Sequence, residues 1–195
     1  MQIALAVAMG ISLAACAGIR TFLPLLALGI AMRLRVPYIP EQPWFAWTAS
    51  NEALIIFGVA AIAELLADKV PGLDHVLDVF HTVARPVAGS LVAIGAFQGM
   101  PPVYAVPLGI IVGAPIAGSF HVARAGTRVA STGFTFGLAN PILSVLEDIV
   151  AILGVVMALV VPVLSALLLG CLAFVIYRWT ASRREKASGA SASAR

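Results

Sequence analysis

The sequence predicts an all-α protein that is embedded in a membrane as a polytopic bundle of about six helices. The first observation behind this prediction is the composition. Of the 195 residues, 61% are hydrophobic and 11% are charged, and the mean hydropathy is +1.03. A soluble domain is about half apolar and about a quarter charged. Because a soluble fold of this size could not bury so much apolar surface, the composition excludes an ordinary cytosolic enzyme, a disordered protein and a nucleic-acid-binding protein.

The second observation is a series of apolar runs, since a helix that crosses a bilayer needs about 20 mainly apolar residues. The predicted spans are residues 2–18, 53–67, 86–97, 103–122, 141–160 and 163–177. We expect a helix that begins near Leu73 to lead into the third span. The fifth and sixth spans are divided at Val161-Pro162, with one long proline-kinked helix as the alternative.

A shorter apolar piece, residues 21–32, follows the first span after a break at 17–20. We expect this piece to be re-entrant or interfacial, with a seventh crossing as the alternative. The loop at 33–51 is rich in proline and aromatic residues, as is typical of the membrane–water interface. Five of the twelve Lys and Arg residues follow the last apolar run. The positive-inside rule therefore predicts a cytoplasmic C-terminus, with residues 179–195 as a disordered, basic, Ala/Ser-rich tail.

The third observation is an internal repeat that divides the chain into three-span halves at 1–100 and 101–178. The motif Ala-Gly-x-Arg (AGxR) occurs at 17–20 and again at 125–128, and in both places a glycine follows after eight residues. An odd number of spans in each half would make the halves inverted, as in many transporter folds. The repeat predicts a broken or re-entrant segment at Arg20 and another at Arg128. Chance matching of small apolar residues is the alternative.

Ionisable side chains concentrate in two blocks of the chain. The first block begins with two acidic residues four positions apart on one helix face, followed by a Pro-Gly break. The next helix carries four ionisable residues at spacings of four, three and four, which form one stripe. The second block is an acidic pair near the start of the fifth span. The residues are Glu64 and Asp68, then Asp74, Asp78, His81 and Arg85, and finally Glu147 and Asp148.

Ionisable groups within a membrane are costly and must pair, so three interpretations of these residues stay open. In the first, they form ion pairs that close the helix bundle. In the second, they line a polar pathway formed by Arg20, Glu64, Asp68, Arg128, Glu147 and Asp148, with Asp74, Asp78, His81 and Arg85 at its cytoplasmic mouth. In the third, that second group binds a divalent cation, because its ligand types are acceptable. We expect no other cofactor, and the sequence indicates no catalytic residue.

Three segments carry a resemblance to a known family. They are AGIRTFLPLLALG at 17–29, ELLADKVPGLDHVLD with RPVAG at 64–89, and the AGTR, ASTG, GLANP and SxxED motifs at 125–148. With these segments the sequence resembles a family of small bacterial integral-membrane proteins, the domain of unknown function 4126. The resemblance extends to about residue 177. It implies an all-helical membrane domain and no activity, and we expect the membrane to be the bacterial inner membrane.

These observations together predict a small inverted-repeat transporter or channel for an ion or a small solute. One alternative is a membrane-embedded, metal-dependent enzyme that acts on a lipid phosphate. Another is a non-catalytic scaffold subunit of the membrane. The expected partners are the lipid bilayer and further copies of the chain, and no nucleic acid.

Overall fold

A computed structural model describes residues 2–36, 39, 43–68, 73–97, 99–136 and 138–162, together with single positions between 164 and 178. No strand occurs among these described residues, which confirms the all-α prediction. The helices are α1 (Gln2–Ile19), α2 (Phe22–Arg33), α3 (Asn51–Ala67), α4 (Leu73–Ala96), α5 (Pro102–Thr135) and α6 (Asn140–Val160), with a short 3-10 turn at Ala46–Ala49. Most of the predicted sixth span lies outside the described residues, and the tail at 179–195 lies entirely outside them.

Local chemistry explains several helix ends. Helix α3 begins after Ser50, whose hydroxyl accepts a hydrogen bond from the Ala53 backbone N–H at 3.1 Å and so caps the first turn. Helix α6 begins at Asn140-Pro141, where a proline in the first turn loses no intrahelical hydrogen bond. It ends at Val160, because Val161 adopts φ −136° and ψ 72° ahead of Pro162. The helix therefore ends at the predicted division between the fifth and sixth spans.

Helices α1, α4 and α5 pack most extensively against one another and form the centre of the bundle. Helices α2 and α3 form an antiparallel pair, since Arg33 at the end of α2 contacts Asn51 at the start of α3. At the opposite end of this pair, Thr21 and Phe22 lie against Glu64. Helix α2 has 12 residues, about 18 Å of helix, and is too short to cross a bilayer.

Small residues let the backbones of α4 and α5 touch. The buried face of α5 presents Ala105, Gly109, Gly113 and Ala117 at intervals of four residues. A Cβ atom on Gly113 would overlap the carbonyl group of Gly89 in α4. Small residues at such intervals are typical of helix pairs that pack within membranes. This stripe holds the two helices at a fixed distance.

The two AGxR motifs differ in structure. The first motif ends α1, and Arg20-Thr21 separates it from α2, as predicted. The second motif lies inside α5, which is continuous from Pro102 to Thr135. The predicted break at Arg128 is therefore wrong. The chain turns after Arg20 because Glu64 accepts the backbone N–H groups that begin α2, whereas Arg128 of the second motif binds Asp68 and Glu147 from within the continuous helix α5. The inverted repeat stays a prediction.

Candidate functional site: a buried charged junction

Arg20 lies where α1 ends, and it connects that end to two other helices. Its side chain is 1% exposed and forms ion pairs with Asp68, at the end of α3, and with Asp148, in the first half of α6. It also donates a hydrogen bond to the buried hydroxyl of Ser144 at 3.3 Å. One arginine at the helix break therefore joins α1, α3 and α6.

Asp68 receives three arginines on one oxygen atom. Arg20 and Arg124 both donate to its Oδ2 atom, and Arg128 Nη2 donates to the same atom at 3.3 Å. The Asp68 side chain is 2% exposed. Because α5 supplies Arg124 and Arg128, this single carboxylate links three helices from within the bundle.

Glu147 of α6 completes the pairing of the two arginines of α5. Its Oε2 atom accepts from Arg124 Nε at 2.7 Å and from Arg128 Nη2 at 3.1 Å. Its Oε1 atom is buried and has no hydrogen-bond partner within the part of the chain that the structure describes. We call the six residues together the charged junction: Arg20, Asp68, Arg124, Arg128, Glu147 and Asp148. Its three guanidinium groups and three carboxylates balance in formal charge.

A second buried group lies next to the charged junction and is centred on Glu64. The Glu64 carboxylate accepts hydrogen bonds from the backbone N–H of Thr21 at 2.9 Å and of Phe22 at 3.2 Å. These are N–H groups at the start of α2, where a helix has no internal acceptor and where its dipole favours a negative charge. Glu64 therefore fixes the N-terminus of α2 against α3.

Two side chains of α4 also face Glu64. His81 Nε2 lies 3.5 Å and Arg85 Nη2 lies 3.9 Å from Glu64 Oε1. Arg85 is fully buried, and its Nη1 atom lies 2.6 Å from Nδ1 of His121 in α5. We call Glu64, His81, Arg85 and His121 the Glu64 cluster. It joins α3, α4 and α5, next to the helix break.

The structure brings together five of the six residues of the predicted polar pathway. Arg20, Asp68, Arg128, Glu147 and Asp148 all belong to the charged junction. The sixth, Glu64, lies in the neighbouring cluster, where it binds the residue that follows Arg20.

The predicted mouth is described only in part. His81 and Arg85 lie in the interior beside Glu64. The side chains of Asp74 and Asp78 lie outside the described residues, so their grouping with His81 and Arg85, and the divalent-cation site, stay predictions. Within the part of the chain that is described, no group of three His, Cys, Asp or Glu side chains is placed to hold a metal ion.

Two central residues, Arg124 and His121, were missing from the predicted site. The predicted site depends on the AGxR repeat, and the second copy of this motif contains Arg128 but neither His121 nor Arg124. The sequence contains a further signal, because the series Ala105, Gly109, Gly113 and Ala117 is followed after four residues by His121 and after three more by Arg124. Residues three or four positions apart lie on the same face of a helix. If the helix continues past Ala117, His121 and Arg124 therefore lie on its buried face.

A small cavity of about 200 Å³ adjoins the charged junction. It lies between the end of α1 and the facing sides of α5 and α6, and Arg124 and Glu147 are its charged lining residues. The rest of the lining is apolar except for Thr127. Sites for drug-sized ligands are typically about 300–1,000 Å³. This cavity is smaller than such sites, it is open on one side, and nearly all of its accessible lining is apolar, so its walls offer few polar contacts to an ion.

The family of the chain follows from comparison with known proteins. A family model described as Domain of unknown function (DUF4126) matches residues 7–182. This range contains every residue of the charged junction and of the Glu64 cluster. No curated protein and no solved structure matches the chain. Because the match covers most of the sequence, the chain belongs to the DUF4126 family.

Proposed function

We propose that this protein is a multi-pass integral membrane protein of a bacterial inner membrane that passes a small ion or solute through the charged junction. The observation that carries the proposal is a set of buried, charge-balanced ion pairs inside a bundle whose outer surface is apolar. The C-terminal tail would lie in the cytoplasm, as its basic residues predict.

The distribution of polarity supports the membrane part of the proposal. Arg20, Arg85 and Arg124 are at most 5% exposed. Large apolar side chains cover the outer faces of the helices, among them Ile55 on α3 and Ile111 on α5. Soluble proteins show the opposite arrangement, whereas charges inside membrane bundles are interior, paired and functional. Two described helices, α5 and α6, are long and apolar enough to cross a membrane.

The position of the junction along α6 supports the same proposal. Helix α6 has 21 residues, about 32 Å, which matches a hydrocarbon core of about 30 Å. Glu147 and Asp148 lie seven and eight residues after Asn140, so they would lie about 11 Å below that end of the helix. The ion pairs would then lie below the membrane surface, where water could reach them only through the protein.

The helix ends at the junction support a pathway in particular. Helix α1 ends at the junction, α3 ends beside it, and α6 passes it in its first half. In many transporters, helices that break inside the membrane form the site for substrate and coupling ions. In this chain Arg20, Asp68 and Glu147 would be the charged groups that a passing ion contacts at these helix ends.

The test is flux through the purified protein in a lipid bilayer. Ionic current across a planar bilayer in potassium chloride would detect ions, and swelling of proteoliposomes in glycerol would detect a small neutral solute. We expect Glu64→Gln and Glu147→Gln to lower the flux per folded protein molecule. Arg33→Gln is the matched control, because Arg33 is exposed and its contact lies at the far end of the α2–α3 pair.

Two results would contradict the proposal. One is an absence of both current and swelling with the wild-type protein in correctly reconstituted bilayers. The other is a loss of folded protein in Glu64→Gln and Glu147→Gln with unchanged flux through the molecules that remain. The second result would mean that the ion pairs only hold the bundle together, as expected for a scaffold subunit.

A further inference from the structure

We infer that the charged junction is an anion-binding site that the carboxylate of Asp68 occupies in this structure, and that a small monovalent anion can replace this carboxylate. As a statement about what the pathway carries, the inference rests on the proposed function. As a statement about binding, it depends on the geometry of the junction alone.

The first argument is the convergence of donors on one atom. An arginine that pairs with a carboxylate usually contacts both oxygens with two parallel hydrogen bonds. Here three guanidinium groups approach the single Oδ2 atom of Asp68. Clusters of arginine around one anionic group are a recurrent means of recognising anionic ligands. A small free anion in the place of this oxygen atom could accept hydrogen bonds from the same three guanidinium groups.

The second argument is the position of Asp68 in the chain. Asp68 is the residue that directly follows α3, and its backbone N–H bonds back to the carbonyl groups of Glu64 and Leu66. Its side chain therefore lies at a helix end and not within a packed helix face. Turning this side chain away from the arginines would leave α3 intact up to Ala67.

The third argument is charge. With Asp68 in place, the three arginines of the junction face three carboxylates. Without its carboxylate, the six residues of the charged junction would keep three arginines and two carboxylates, Glu147 and Asp148, a net charge of one positive unit among them. A buried charge that loses its partner is strongly destabilising, so the site would favour the entry of one negative charge. This balance indicates a monovalent anion.

The fourth argument is size. The three guanidinium groups converge on one oxygen atom of a carboxylate that is 2% exposed, so an anion that takes its place must be about as small as a carboxylate group. A nitrate ion is small enough for such a space, whereas a large organic monovalent anion such as gluconate is a poor match. The two anions therefore form a test pair with equal charge and different size.

The experiment compares three proteins in detergent: the wild type, Asp68→Asn, and the double variant Asp68→Asn/Arg128→Gln. Thermal unfolding is followed as sodium nitrate replaces sodium gluconate at constant ionic strength. Asp68→Asn keeps the shape of the side chain and removes its charge, so nitrate should raise its Tm in a saturable way. In the wild type the anion must first displace Asp68, which lowers the apparent affinity. We expect nitrate to bind at least about tenfold more tightly to Asp68→Asn.

The double variant is the matched control. It again balances two arginines with two carboxylates, so it should fold and should show no saturable response to nitrate. An equal response to nitrate in all three proteins would be a general salt effect and would overturn the inference. If Asp68→Asn yields folded protein only in nitrate, the inference is supported. If it yields none in either salt while the double variant accumulates, the inference is wrong.

The two proposals can fail separately. Saturable binding of nitrate to Asp68→Asn without any flux through the wild type would leave the anion site in place and remove the transport function. Flux of cations or glycerol without any response of Asp68→Asn to nitrate would leave the transport function in place and remove the anion site. Nitrate flux that increases in Asp68→Asn would support both.

Discussion

The inner face of α5 has two halves that differ in what they bind. From Ala105 to Ala117 the face presents small residues every fourth position, and Gly113 brings the backbone of α4 into contact. Beyond Ala117 the same face presents His121 and Arg124, which reach Arg85, Asp68 and Glu147. Both halves belong to one continuous helix. The size and charge of the side chains decide whether α5 binds a neighbouring backbone or distant carboxylates.

The two halves also differ in how their contacts can change. Backbone contact between α4 and α5 depends on close packing, which transmits strain and tolerates little extra volume. The ion pairs of the charged half can exchange partners, since Asp68 and Glu147 each bind more than one arginine. We therefore expect the small-residue half of α5 to form the rigid part of the bundle. We expect the charged half to hold the ends of α1 and α3 through ion pairs whose partners can change.

The largest effect is expected from Arg124→Gln, which removes a charge from the middle of the junction. Asp68 and Glu147 would each lose a partner while they remain buried. Removal of one member of a buried ion pair typically costs about 3–5 kcal/mol. We expect the yield of monodisperse protein in detergent and the free energy of unfolding to fall sharply.

A double variant sharpens this prediction. In Arg124→Gln/Glu147→Gln the formal charge is balanced again, so the loss should be smaller than the sum of the two single losses. Losses that simply add would show that Arg124 and Glu147 act independently and would contradict their pairing.

The next effect concerns the small-residue half. Gly113→Ala adds a methyl group where the backbone of Gly89 lies, and extra volume in a well-packed interior typically costs about 1–3 kcal/mol. The control is Gly126→Ala on the same helix, where no atom of another element in the described part of the chain lies within 4 Å of the added carbon. We expect Gly113→Ala to lower the Tm in detergent and Gly126→Ala to leave it unchanged or raise it. Equal effects of the two substitutions would mean that close α4–α5 contact is not required.

The helices could be predicted well from the sequence because apolar runs of sufficient length have few other stable forms. The ends of α6 follow from Asn140-Pro141 and Val161-Pro162, which are local signals. For this part of the chain the sequence predicts a span at 103–122 and a break at Arg128, in the second AGxR motif. Helix α5 instead continues to Thr135, since Arg124 and Arg128 find acidic partners at the end of α3 and on α6.

The composition of the site was harder to predict than its location. The scarcity of charge in an apolar chain identified Arg20, Glu64, Asp68 and Glu147 as residues that must pair. Which arginine binds which carboxylate depends on contacts between residues far apart in the sequence, such as Arg124 with Asp68 at a separation of 56 residues. No local pattern contains that information; it comes from the fold, which brings the end of α3 within reach of Arg124 on α5.

A smaller effect is expected from Ser144→Ala. The Ser144 hydroxyl is fully buried and accepts a hydrogen bond from Arg20 at 3.3 Å. Arg20 keeps Asp68 and Asp148 in this variant, so the loss should be that of a single hydrogen bond, about 0.5–1.5 kcal/mol. The free energy of unfolding in detergent would measure it. A loss as large as that of Arg124→Gln would mean that the orientation of Arg20 depends on Ser144 more than on its two carboxylates.

The smallest effect is expected from Arg33→Gln, which tests whether burial or residue type makes an arginine essential. Arg33 ends α2 as Arg20 ends α1, but it is exposed and contacts the Asn51 side chain and, at 3.4 Å, the Ala49 carbonyl oxygen. Exposed polar contacts of this kind contribute about 0–1 kcal/mol. The Tm, the yield and the flux should therefore stay near those of the wild type. If Arg33→Gln lowers the Tm and the yield as much as Arg124→Gln does, the exposed contact at the far end of the α2–α3 pair stabilises the protein as much as the buried charged junction. Burial would then not be what makes an arginine essential in this bundle.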